Sequence, residues 1–253
     1  MDYFDKAETW DRATLETVQL ARLKTTIQQA SRAPFYAKRL AEAGVSADNL
    51  RSLEDIRRIP FTSKDDLRSQ YPYGLATVPH SEFVRMHCSS GTTGTPVAVC
   101  YTQPDINSWA DLMARCLYMA GVRKDDVFQN MSGYGLFTGG LHFGAERLGC
   151  MTIPAGAGNS KRQLKLVKDF GTTVAHILPS YALHLGTTLI EEGEDPKALS
   201  LRIACVGAEP YTEETRRRIE ALFDMKVYNS YGLSEMNGPG VAFECQYQNG
   251  LHL

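Results

Sequence analysis

From residue 83 onward the chain alternates short apolar runs with stretches of helical period, and that alternation restricts the fold more than any other feature. The β-prone runs fall at 83–88, 97–101, 127–130, 173–177, 201–206 and 226–229. The helical stretches fall at 104–120, 139–148, 160–170, 180–192 and 213–223. Apolar strands alternating with helices predict an α/β fold, a mostly parallel, buried sheet with flanking helices. In such sheets ligands collect at the carboxyl ends of the strands, so the loops that follow strands are where a site is sought.

The first eighty or so residues read differently. Leu15, Val18, Leu23, Ile27 and Ala30 mark one face of an amphipathic helix, and Pro34 lies just beyond its end. A second helix is expected over 35–43, with Gly44 as its stop. Ser63 and Asp66 are spaced as a capping box. The expected organisation is therefore an N-terminal helical segment, 1–82, followed by an α/β part, 83–253. There is no internal repeat and no Pro/Gly-rich linker to divide it further.

Charge narrows the partners. With 27 Lys and Arg against 29 Asp and Glu, the net charge of -2 offers no dense basic face for a nucleic acid. No run reaches the ~18–20 apolar residues that span a bilayer, and the acidic start Met1-Asp2-Tyr3-Phe4-Asp5 lacks the regions of a signal peptide. A cytoplasmic protein with neither membrane nor nucleic-acid partner is expected. The six cysteines show no CxxC spacing, which favours reduced, buried thiols. Cys245 and His252 would be half of a structural zinc set; a core thiol and a strand histidine is the simpler account, because two ligands do not make a tetrahedral site.

Four strand-end loops carry the chemistry. Between the first two runs, Ser89-Ser90-Gly91-Thr92-Thr93-Gly94-Thr95-Pro96 combines five hydroxyls with two glycines. Glycines let successive N–H groups curl inward around phosphate oxygens, and hydroxyls add donors or ligate a magnesium ion. It is not a Walker loop, since no Lys-Ser/Thr follows the second glycine. A solvated Ser/Thr/Gly hairpin has the same composition. The second loop, Ser132 to Gly140, sets Tyr134 and Phe137 among glycines, as walls for a flat apolar ligand or as core aromatics at a turn. The third is Gly207-Ala208-Glu209-Pro210, and the fourth runs from Asn229-Ser230-Tyr231-Gly232 to Leu233-Ser234-Glu235. Each of the last two is weak alone.

Taken in order, these loops resemble the adenylate-forming enzyme superfamily, and within it the phenylacetate–CoA ligase family. The likeness extends to Ile153-Pro154-Ala155-Gly156-Ala157-Gly158-Asn159-Ser160, to Pro179-Ser180-Tyr181, and to Gly238-Pro239-Gly240 with Glu244-Cys245. It covers essentially the whole chain. The resemblance implies the large domain of an adenylate-forming enzyme, which activates an aromatic acid with ATP and passes the acyl group to CoA. Ser89, Ser90, Gly91, Thr92, Thr93 and Gly94 then fall on the phosphate loop, with Thr92 and Thr93 catalytic. Glu235 falls on the catalytic glutamate associated with Mg2+. Gly207, Ala208, Glu209, Pro210, Asn229, Ser230, Tyr231 and Gly232 would surround the nucleotide. Ser132, Tyr134, Phe137, Gly139 and His142 would border the acid. A homodimer is compatible with the family.

The departures are informative. Thr95 stands where the family usually has lysine, which removes a positive charge near the phosphates. Ser132 replaces a second tyrosine and His142 a glycine, which points away from phenylacetate itself toward a larger or more polar aryl acid. The family's C-terminal lid, with its adenylation lysine, would lie beyond Leu253. On that reading the 253 residues are a truncated ligase with little thioester synthesis. The alternative is a catalytically incompetent relic that binds nucleotide or acid.

Overall fold

Local signals start the helices of the N-terminal segment, and the computed structural model shows them at work; it describes residues 3–89, 91, 94–133 and 139–253. Asp11 accepts a hydrogen bond from the Thr14 N–H at 2.8 Å and opens α1 (Arg12–Ala30). Pro34 begins α2 (Pro34–Glu42), where its missing N–H costs nothing, and Gly44 follows at a φ of 62°. Ser63 and Asp66 close the expected capping box at the start of α3 (Lys64–Ser69), and Asp66 also pairs with Arg39 at 2.8 Å. Ile27, Leu40, Val45 and Leu50 form the small core beneath these elements.

β1 (Phe83–Cys88) and β2 (Ala98–Thr102) pair antiparallel as a separate hairpin. Two compact units result, Met1–Pro104 and Asp105–Leu253, and the hairpin belongs to the first.

α4 (Gln103–Met119) opens at that boundary, and the second unit is built on one sheet. Its strands are β3 (Val127–Asn130), β4 (Met151–Ile153), β5 (Val174–Ile177), β6 (Ile203–Gly207), β7 (Lys226–Leu233), β8 (Gly238–Glu244) and β9 (Leu251–His252), in the order β4-β3-β5-β6-β7-β8-β9. From β4 to β7 every pairing is parallel; β8 and β9 add antiparallel. β4 and β8 escaped the sequence reading. β4 has only three residues, and β8 opens with Gly238-Pro239-Gly240, which reads as a turn when its pairing to β7 is out of view.

The helices between strands are α5 (Gly139–Leu148), α6 (Ser160–Phe170), α7 (Pro179–Glu191) and α8 (Glu213–Phe223), near the expected spans. On one face Ala175, Ile177, Ala204, Val206 and Val227 pack against Leu164 and Val167 of α6, Leu185 and Leu189 of α7, and Ile219 and Phe223 of α8. Alternate residues, including Phe128, His176 and Cys205, point to the opposite face, because strand side chains alternate. There α5 packs on β3, β4 and β8. A Cβ at Gly140 of α5 would lie 2.4 Å from the Trp109 indole of α4, so only glycine allows these two helices to meet as they do. The Trp109 indole N–H donates to the Pro239 carbonyl at 2.9 Å and ties α4 to β8.

Candidate functional site

In the first unit, the loop after β1 is closed at its base by Ser89. The Ser89 N–H donates to the Val97 carbonyl at 2.9 Å, and the Ser89 hydroxyl accepts from the Val97 N–H at 2.9 Å. At its tip the Gly94 N–H donates to the Gly91 carbonyl at 3.1 Å, with φ of 66° at Gly91 and 129° at Gly94. Both glycines thus take positive φ, a region open chiefly to glycine. The Ser89 hydroxyl, which accepts from the loop's own backbone, keeps its proton to donate. Ser90, Thr92 and Thr93 lie outside the described residues.

In the second unit the candidate residues converge on the carboxyl ends of adjacent strands. Gly207 ends β6 and lies opposite Ser230 of β7, so close that a Cβ on Gly207 would stand 2.3 Å from the Ser230 carbonyl oxygen. Asn229 is one position back, and its N–H donates to Glu244 of β8 at 2.7 Å. Tyr231 and Gly232 follow, both exposed. The sequence reading ended this strand at 229; pairing with β8 carries β7 on to Leu233, so Tyr231 is a strand residue and not part of a loop. Glu235 sits in the short turn Ser234–Met236 between the two strands.

Glu209, expected beside the nucleotide, is held in place by Ser180. Its carboxylate accepts from the Ser180 N–H at 2.6 Å and from the Ser180 hydroxyl at 3.1 Å. Those donors lie at the start of α7, where free N–H groups and the helix dipole favour an anion. Glu209 thus anchors the loop after β6, in which Ala208 adopts a φ of 67°, and Ser180 is a site-shaping residue the sequence reading did not single out.

Ser132, Gly139 and His142 are all buried in the second unit. The His142 Nε2 faces Glu146 Oε1 at 3.0 Å, one helical turn on. Tyr134 and Phe137 lie outside the described residues. Two buried polar pairs involve residues of the runs read as plain strands, 127–130 and 173–177. Gln129 and Gln163 are fully buried and bonded to one another at 2.8 Å; Gln163 also donates to the carbonyls of Gly156 and Gly158 at 2.6 and 3.2 Å. They hold the glycine-rich loop that leads into α6. Asn130 and His176 form a second buried pair at 3.1 Å. Their signal was visible: Gln129 and Asn130 are polar residues inside an apolar run.

The zinc expectation is not supported. Cys245 lies just after β8 and His252 in β9, yet among the described residues no three His, Cys, Asp or Glu side chains gather as a metal set. No described helix is long and apolar enough to cross a membrane.

Comparisons with known proteins agree with this geometry. The chain is 48% identical over 244 residues to a phenylacetate–coenzyme A ligase of Pseudomonas putida, covering 95% of this chain and 56% of that protein. It is 45% identical over 257 residues to one of Thermus thermophilus, covering 100% of this chain and 58% of that protein. The chain thus spans somewhat more than half the length of these relatives. A crystal structure of 2-hydroxyisobutyryl-CoA ligase, in complex with 2-HIB-AMP and CoA, superposes with a TM-score of 0.89 at 30% identity, over 99% of this chain and 57% of that one. The AMP-binding enzyme family matches residues 13–250, which take in every strand-end loop described above. The fold, its loops and this match place the chain in one family: it belongs to the AMP-binding enzymes.

Proposed function

We propose that this chain carries the nucleotide- and acid-binding part of an aryl-acid–CoA ligase of the AMP-forming type. The observation that supports this best is the meeting of Gly207, Ser230 and Asn229 at adjacent strand ends, with Tyr231 exposed beside them and Glu235 in the following turn. A carboxylate oxygen attacks the α-phosphorus of ATP, and the bond to pyrophosphate breaks with its electrons leaving on pyrophosphate. The CoA sulfur then attacks the acyl carbon, AMP departs with the C–O electrons, and the thiol proton passes to solvent.

The chain's own groups act mainly by placement. Backbone N–H groups of the Gly-containing segment from Ser89 to Gly94 donate to phosphate oxygens. Gly207 and Ala208 present bare backbone to one edge of the base, and Tyr231 offers a ring to its face. Ser132, Gly139 and His142 line the acid. Mg2+ would neutralise charge on the phosphates. Glu235 is the carboxylate to hold it, and one carboxylate fits a small hard cation that takes its other ligands from phosphates and water.

The test is acid-dependent exchange of labelled pyrophosphate into ATP. Exchange that requires an aryl acid supports the proposal. Binding of AMP and acid without exchange would favour a binding module instead.

A further inference from the structure

Three sulfurs gather on one face of the β1–β2 hairpin. Side chains alternate along a strand, so Met86 and Cys88 share one face of β1, and His87, buried beside Tyr101, takes the other. The register sets Cys100 of β2 directly across from Met86, and Ala98 across from Cys88. Because the Ser89 N–H donates to the Val97 carbonyl, the pairs 89–97, 87–99 and 85–101 are the hydrogen-bonded ones. Met86 and Cys100 are therefore a non-hydrogen-bonded pair, in which Cα atoms stand about 4.5 Å apart and side chains are closest.

The Cys88 thiol donates to the Met86 thioether at 3.1 Å. Cys100 is the diagonal neighbour of Cys88, within side-chain reach across the two strands. The two thiols sense one another: burial pushes the Cys100 thiol above its ordinary value, and charge on Cys88 pushes it the same way. Met86 is 53% exposed and both thiols are half-buried, so the face is open to a solute.

The donor set is selective. Thiolate and thioether together suit a soft monovalent ion such as Cu(I), whereas zinc takes thiolate, imidazole or carboxylate and in structural sites needs four ligands. The fourth corner of this face is Ala98, which brings no ligand. Two sulfurs held about 2.3 Å from one metal lie at most about 4.6 Å apart, a limit that Cys88 and Met86 already meet. Rotation of the Cys100 side chain completes a trigonal set.

We propose that Met86, Cys88 and Cys100 form a three-sulfur site for Cu(I) on the hairpin that carries the glycine-containing loop. Binding releases the two thiol protons to solvent and leaves the ion as Cu(I), so no oxidant or reductant is consumed.

The experiment titrates the reduced 253-residue chain with Cu(I) under anaerobic conditions, against a chromophoric Cu(I) chelator. One tightly held ion per chain is expected, with three sulfur neighbours in its X-ray absorption spectrum. Cys88→Ser and Cys100→Ser should each weaken binding by about a hundredfold or more, beyond the cost of losing a partner that only supports a ligand. Met86→Leu preserves the hairpin's apolar contacts and should lower the sulfur count to two. Cys245→Ser, on another face of the molecule's sheet edge, should leave the affinity unchanged. The proposal is overturned if the chelator retains all the copper, if the Cys88→Ser/Cys100→Ser double variant binds as tightly as the wild type, or if the sulfur count stays the same in Met86→Leu.

Discussion

Glu209 shows how a residue's type can be read from sequence while its task cannot. An acid in the loop after β6 was legible, but its partner lies 29 positions away, at the start of α7. Removing the carboxylate should act on two things at once. Glu209→Ala is expected to cost about 1 kcal/mol of stability, as loss of a helix cap does, and to weaken AMP binding by freeing the Ala208 turn. Glu209→Gln keeps an acceptor and should recover part of both. Chemical denaturation and AMP titration on the same preparations check this, and unaltered AMP affinity in the alanine variant would separate the loop from the nucleotide.

His176 makes a prediction of a different kind. Its folded pKa, about 4, lies below the ordinary value near 6.5, because burial disfavours the charged ring. The unfolded chain therefore binds the extra proton first. The stabilising effect of the neutral ring is complete above about pH 6.5 and is lost as pH falls toward 4, by roughly 3 kcal/mol in total. Carboxylates titrate in the same window, so the comparison must be with His176→Asn. Between pH 7 and pH 4 the wild-type chain should lose more stability than the variant, and equal losses would mean the ring is not held neutral.

At the scale of elements, the β7–β8 pair is held from outside by a buried ion pair. Arg216 of α8 reaches both carboxylate oxygens of Glu244 at 3.1 and 3.0 Å, and both side chains are 7% exposed. Glu244 also accepts from the Asn229 N–H, so one carboxylate ties α8 and β8 to the backbone of β7. Arg216→Met should cost about 3–5 kcal/mol, since it leaves Glu244 buried without its counter-ion. Replacing both residues with apolar ones should cost much less, and a double-mutant cycle measures the difference. Gly207→Ala is expected to be destabilising by about 1–3 kcal/mol, because its Cβ meets backbone and not a side chain that can swing away.

At the scale of the whole molecule, AMP should stabilise the chain if it binds the native state alone. At a hundredfold excess over its dissociation constant the gain is about 2.7 kcal/mol, visible as a raised Tm. No shift at any concentration would remove nucleotide binding from the account.

Much of the architecture was legible because it rests on local physics. The capping box at Ser63, the stop at Gly44 and the helices at 139–148, 160–170 and 213–223 follow from caps, glycine conformation and apolar period, all carried by neighbouring residues. Chain order of the loops after β1, β3, β6 and β7 likewise pointed to nucleotide and acid chemistry. Tertiary structure alone decided what depends on pairing across the sheet. It extended β7 through Tyr231 by setting β8 against it, turned Glu209 toward α7, and supplied no third ligand to Cys245 and His252 among the described residues. It also put Asn130 beside His176, 46 positions apart, and so defined which nitrogen donates and which accepts. A sequence specifies the donors and acceptors each residue owns; only the fold determines which of them are satisfied.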